Sequence, residues 1–187
     1  ADNPTKFVEG LYRIGIGEPL NLEIPGYQPP IIRYPNKQNW WKTTLAWMSI
    51  GYETQIAPIN TLAFYNAIAN NGRMVKPRFV KAIMRDGEVI EEFPVEVLKE
   101  SICSSSALKK MQDMLEGVVS KGLGKQAGSK QFHVSGKTGT AQVAQGAGGY
   151  KSGAMQYLVS FCGYFPSENP QYSCIVAIRK PGYPASG

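Results

Sequence analysis

Apolar residues in this chain recur at two different spacings, one helical and one alternating, and each change of spacing marks an element. The first helical stretch opens the chain. Asn3 suits the cap, Pro4 the first helical position, and Phe7, Leu11 and Ile14 share a face until Gly15 and Gly17 end it. Residues 18–42 lack either period and are punctuated by six Pro or Gly residues from Pro19 to Pro35, so they read as loop. A second helix is predicted from Pro58 to Ala69, with Ile59, Leu62, Ala63 and Ala67 on one stripe. Only Asn66 interrupts the run from Leu62 to Ala69, which places this helix in a core. Asn70-Asn71-Gly72 stops it.

The spacing then turns to strands. Residues 79–85 and 88–93 predict a hairpin joined by Asp86-Gly87, a pair that tolerates the positive φ of a tight turn. A third helix begins within Ser104-Ser105-Ser106, where a hydroxyl can cap free N–H groups, and Leu108, Met111, Leu115 and Val118 form its stripe. A glycine-rich loop covers 122–128. Strands follow at 131–143, 157–165 and 172–179. Gly146–Gly149 separates the first two, and Pro166-Ser-Glu-Asn-Pro170 closes a hairpin between the last two. The class is α/β in the broad (α+β) sense, a mostly antiparallel sheet flanked by helices, with no internal repeat and no clean domain boundary.

Composition narrows the function classes. Apolar residues make up 43% and charged residues 18% of 187, which excludes general disorder and suits one compact domain. The longest mostly apolar stretch, 158–165, is too short to span a bilayer, and no secretory signal opens the chain. The net charge of +6 is scattered, so it describes a solvated surface and not a nucleic-acid face. His133 is the one histidine, and Cys103, Cys162 and Cys174 have no CxxC spacing, so neither a metal site nor any other cofactor is expected. Cys162 and Cys174 are equidistant from Glu168, which predicts that they face each other across a symmetric hairpin. Two buried free thiols are the favoured state, because directly paired strands fit disulfide geometry poorly.

The chemistry is concentrated in His133-Val-Ser-Gly-Lys-Thr-Gly-Thr-Ala-Gln142. An ammonium, hydroxyls and a bare glycine backbone on one strand can grip a carboxylate, and strand-edge N–H groups can serve an oxyanion hole. A polar edge strand with a solubilising lysine explains the same residues. A phosphate-binding loop does not, since it needs glycine where Gln131 stands and a helix from the lysine onward.

Ser135-Gly-Lys-Thr-Gly-Thr-Ala-Gln142 resembles the third signature of the penicillin-binding protein transpeptidases, in particular the class B enzymes of division and elongation. Other segments agree in order: residues 47–52, Ala57-Pro-Ile-Asn60 through Gly72, 75–80, Met114-Leu-Glu-Gly-Val-Val119, Gly149-Tyr150, and 160–170. The resemblance covers nearly the whole chain, with the nearest likeness to septal enzymes of Bacteroidetes-like bacteria.

That resemblance implies part of the penicillin-binding, β-lactamase-like transpeptidase fold and an acyl-serine reaction. A serine in Ser-x-x-Lys attacks the penultimate D-Ala carbonyl of a stem peptide, D-Ala leaves, and a second stem's amine takes the acyl group. β-Lactams trap the serine. By matching position, Lys137 and Thr140 are the catalytic residues. Lys137 sets electrostatics and proton relay, and the Thr140 N–H is an oxyanion donor. Thr138 and Thr140 hold the carboxylate, and Gly139 leaves room beside the strand. Simple alternation places Lys137 opposite Thr138, so the pleat alone does not bring both to one groove.

The family places Ser-x-x-Lys and Ser-x-Asn before Lys-Thr-Gly. Here Ser106-Ala-Leu-Lys109 is expected to be an N-cap serine and a solvent-facing lysine, and Ser167-Glu-Asn169 hairpin chemistry. Residues 1–187 therefore read as the C-terminal part of a transpeptidase domain, without its nucleophile and inactive alone, with an open apolar sheet edge that favours oligomers. Gly122-Leu123-Gly124 stands where relatives often carry Gly-Thr-Ala, and Ala57 where Thr or Ser often caps. Implied partners are stem peptides or their lipid-linked precursor, β-lactams, and division or elongation membrane proteins, with no nucleic acid. The implied location is the periplasmic face of the bacterial inner membrane, with the parent anchored by an N-terminal helix. A β-lactam sensor of the same fold, or an interaction scaffold, are the alternatives.

Overall fold

The computed structural model describes residues 3–35, 38–144, 149–150 and 155–182. They form two compact units: residues up to Ala67 with Asn71–Ser104, and Ile68–Asn70 with Ser105 onward. The division falls in the last turn of a helix, so no change of composition announces it.

The first unit opens with α1 (Pro4–Arg13). The Asn3 side chain accepts from the Lys6 N–H at 3.0 Å, as the cap position requires. The side chain that α1 buries most fully is Val8, and Phe7, Leu11 and Ile14 are half-buried. Gly15 (φ +90°) turns the chain so closely that a Cβ there would lie 2.6 Å from Met74 Sδ. Two short elements were not legible as a period: β1 (Ile31–Ile32), inside the expected loop, and α2 (Thr44–Ser49). β1 pairs antiparallel with β2 (Thr54–Gln55). The predicted central helix is α3 (Pro58–Ala69), which buries Asn60, Ala63, Ala67 and Ile68. It stops where Asn71 and Gly72 take positive φ.

β3 (Met74–Val75) pairs with β6 (Val97–Lys99), and between them β4 (Ala82–Arg85) and β5 (Glu88–Glu92) make the expected hairpin. Its turn has φ of 53° at Asp86 and 86° at Gly87, the signature of a two-residue hairpin loop.

The second unit packs α4 (Ser105–Ser120) on a three-stranded antiparallel sheet ordered β7 (Ser135–Val143), β8 (Gln156–Phe165), β9 (Tyr172–Pro181). α4 buries Leu108, Leu115 and Val119, while Met111 is exposed, so the stripe is rotated from the expected one. Gln112 turns inward instead, and its Nε2 donates to the Ile68 carbonyl at 2.9 Å. Since α4 begins at Ser105, the cap position is Ser104 and Ser106 lies inside the first turn, not at the cap. The long strand starts at Ser135, later than residue 131. The expected break at Gly146–Gly149 lies outside the described residues except for Gly149.

The β8–β9 register pairs Gly163 with Cys174 and Cys162 with Ile175. The hairpin is one residue off the symmetric arrangement, which puts the two cysteines on opposite faces. Both are free, Cys162 buried and Cys174 exposed. Among the described residues no helix is long and apolar enough to cross a membrane.

Candidate active site

β7 is an edge strand, bonded to β8 on one side only among the described residues. Its register sets Ser135 against Tyr164, Gly136 against Gly163, Lys137 against Cys162, Thr138 against Phe161, Gly139 against Ser160, and Thr140 against Val159. Directly opposed residues share a face. Lys137 and Gly139 therefore lie on the face of Tyr164, and Thr138 and Thr140 on the other, as alternation alone predicts. An edge strand can still serve one ligand from both faces, because a group lying along its open side is within reach of each.

Lys137 is exposed. Its Nζ donates to the Thr138 carbonyl at 2.6 Å, and among the described residues no carboxylate lies within ion-pair distance. That leaves an ammonium with spare donors. Thr140 is exposed and Thr138 half-buried. A Cβ at Gly139 would meet only the Ser160 hydroxyl, at 2.6 Å, so the glycine keeps one stretch of the strand bare.

The residues before Lys137 hold the strand in place. Ser135 is buried, and its Oγ lies 2.8 Å from Ser167 Oγ in the β8–β9 turn. The Ser167 N–H donates to the His133 carbonyl at 3.0 Å. This bears out the turn reading of Ser167-Glu-Asn169. His133 Nδ1 contacts the Glu168 carboxylate and lies 3.9 Å from Glu116. Gly136 and Gly163 meet backbone to backbone, with the Phe161 ring over both. Burial raises the pKa of the Tyr164 phenol and, aided by the nearby Cys174, pushes the Cys162 thiol up to about 12. The thiol beside Lys137 is therefore an apolar filler. None of these supporting contacts was legible, because they join residues far apart in the chain, most of them through hairpins whose register the sequence does not fix.

The Ser-x-x-Lys at Ser106–Lys109 lies in the first turns of α4. Lys109 is solvent-facing and bonds Asp113 at 2.9 Å, and that hydrogen bond and charge raise its pKa. A proton acceptor needs the opposite shift. Among the described residues no three His, Cys, Asp or Glu side chains gather as a metal site.

Residues 3–187 match the family model for the penicillin-binding protein transpeptidase domain. The chain belongs to that family. Among curated relatives, penicillin-binding protein PbpB of Mycolicibacterium smegmatis is 29% identical over 192 residues, which are 98% of this chain and 29% of the relative. The probable peptidoglycan D,D-transpeptidase PbpC of Pseudomonas aeruginosa is 30% identical over 179 residues, 95% of this chain and 29% of the relative. The crystal structure of penicillin-binding protein 3 from Mycobacterium tuberculosis, complexed with ampicillin, superposes with a TM-score of 0.81 at 28% identity. It covers 96% of this chain and 40% of that one. The chain thus spans less than a third of the length of these curated relatives, and it shares the mixed helical and antiparallel fold of the solved penicillin-binding protein 3.

Proposed function

We propose that this chain supplies the Lys-Thr-Gly wall of a peptidoglycan D,D-transpeptidase that works through an acyl-serine and binds β-lactams. The observation that carries the reading is Lys137: an exposed, carboxylate-free ammonium on an edge strand, followed by Thr138, Gly139 and Thr140. In the reaction, the substrate or drug carboxylate lies along the open side of β7. It takes hydrogen bonds from the Thr138 and Thr140 hydroxyls. Lys137 lowers the cost of the negative charge that develops as the serine attacks, and assists proton transfer from it. The Thr140 N–H is one of the two donors to the tetrahedral oxyanion. The serine comes from outside these residues, so residues 1–187 by themselves form no penicilloyl adduct.

The parent protein works in the bacterial envelope on stem peptides, with division or elongation membrane proteins as partners. The names of the relatives favour the transpeptidase reading over a drug sensor. The test uses the full-length protein and a fluorescent penicillin. Lys137→Ala is expected to slow acylation by about 100-fold or more, in line with losses seen when a charge-stabilising donor is removed. Thr140→Ala weakens drug binding with a smaller effect on the maximal acylation rate. An unchanged rate in Lys137→Ala would exclude this role for β7.

A further inference from the structure

The turn between β8 and β9 is tied to the start of β7 in three ways. Phe132, just before the strand, stacks on Phe165 with ring centroids 5.2 Å apart, and Phe165 stacks on Tyr172 at 5.4 Å. The Ser167 N–H donates to the His133 carbonyl at 3.0 Å. The Ser167 hydroxyl lies 2.8 Å from that of Ser135. The turn is itself braced. The Gln171 N–H donates to the Phe165 carbonyl at 3.1 Å, and the Gln171 side-chain amide donates to the Asn169 and Pro170 carbonyls at 3.3 Å each. It can therefore serve as a fixed point for the strand.

Of these ties, the hydroxyl pair alone ends on a side chain of β7. Ser135 is 1% exposed. It stands two residues before Lys137 on the same face, about 7 Å along the strand. Between them lies Gly136, which is paired with Gly163. Cross-strand side-chain pairs stiffen a sheet locally, and two opposed glycines supply none. β7 also has a single neighbouring strand among the described residues. The glycines set how closely β7 approaches β8, but they leave no side chain there to resist a twist of the open edge. A hydrogen bond at Ser135, anchored in the braced turn, does resist it.

We propose that Ser167 is a positioning residue for acylation: through Ser135 it fixes the start of β7 and with it the place of the Lys137 ammonium. The proposal rests on the transpeptidase reading of Lys137. Its effect falls on rate more than on affinity, because Thr138 and Thr140, which hold the carboxylate, lie farther along the strand from the hydroxyl pair. A misplacement of about 1 Å at a reacting group costs on the order of 100-fold in rate, and a strand loosened at one end is expected to lose about tenfold.

The test measures non-covalent affinity and maximal acylation rate separately, with a fluorescent penicillin and the full-length protein. Ser167→Ala removes the hydroxyl and keeps the backbone bond to His133. It is expected to lower the maximal rate about tenfold while the dissociation constant stays within about twofold. Ser167→Thr keeps a hydroxyl and most of the rate. Ser135→Ala matches Ser167→Ala, and the double variant adds little further loss, as coupled residues do. Thermal melts separate positioning from general loosening. Ser167→Ala takes from the buried Ser135 hydroxyl its partner and lowers the melting temperature. The double variant removes both hydroxyls and regains part of it, yet its rate stays low. A rate that recovers together with the melting temperature would overturn the proposal. So would affinity and rate that fall in step, or Ser167→Thr as slow as Ser167→Ala. Lys137→Ala, run in parallel, separates the two levels. If it is slow and Ser167→Ala is not, the positioning role alone fails; if Lys137→Ala is unchanged, the transpeptidase reading fails and takes this role with it.

Discussion

Cys162 shows how position and burial together make a reactive residue type inert. It is 5% exposed and lies across from Lys137. Its thiol is pushed from an ordinary value near 9 up to about 12 by burial first and by Cys174 second. Between those values the unfolded chain has lost the proton and the folded chain keeps it. The contribution to stability is therefore whole below about pH 9 and is lost as pH rises towards 12. Denaturant unfolding of the reduced protein at about pH 8 and about pH 10.5 measures this. Wild type loses stability between the two, and Cys162→Ala is expected to lose less. Equal losses would place the effect on other groups. The sequence did favour free thiols, but it set Cys162 facing Cys174. A count symmetric about Glu168 assumes a symmetric turn, and a turn longer by one position reverses which face a side chain occupies. Lys137, Thr138, Gly139 and Thr140 were legible because type and order alone carry their chemistry. Ser135, Ser167 and Phe161 were not, because they act through contacts that only the register creates.

Strand β7 is held at its working distance by an unusual close approach to β8. A Cβ on Gly163 would lie 2.3 Å from the Ser135 carbonyl, and one on Gly136 would lie 2.7 Å from the Cys162 carbonyl. Both obstacles are backbone and cannot swing aside. Gly163→Ala is expected to cost about 1–3 kcal/mol or more through overpacking, beyond the 0.5 to roughly 1 kcal/mol that alanine gains over glycine in a strand. Gly139→Ala makes the informative contrast, since its Cβ meets a serine hydroxyl that can rotate away. That variant keeps nearly its full melting temperature, and in the full-length protein loses β-lactam acylation because the bare strip is filled. If both variants melt alike, the close approach is not what positions β7. Helix α4 teaches a related lesson about periodicity. Its extent was readable from the spacing, but its inward face was not, because the polar Gln112 displaces Met111. The Ile68 carbonyl near the end of α3 has no following turn to bond it, and Gln112 Nε2 supplies the missing donor. A hydrophobicity count cannot anticipate a polar side chain drawn inward by an orphan carbonyl.

For the molecule as a whole, the strand edges left open among the described residues differ in their charge patterns. β9 is exposed along most of its length, and Tyr172, Val176 and Ile178 are half-exposed or more. Unlike β5, its middle from Ser173 to Ile178 carries no charge, and Arg179 and Lys180 sit together at one end. Two copies pairing β9 antiparallel would set Arg179 against Tyr172 and keep the like charges far apart, so no like-charge repulsion opposes that pairing. The net charge of +6 opposes association in general, and salt screens that term. Residues 1–187 are therefore expected to self-associate through β9 as concentration and salt rise. Light scattering at low and at high ionic strength tests this with two variants. Ile178→Lys, which brings a cation into the uncharged middle, is expected to restore the monomer, and Glu91→Lys leaves the oligomer as it was. A clean monomer at high concentration and high salt, or an oligomer insensitive to Ile178→Lys, would mean that the β9 edge is not the associating surface.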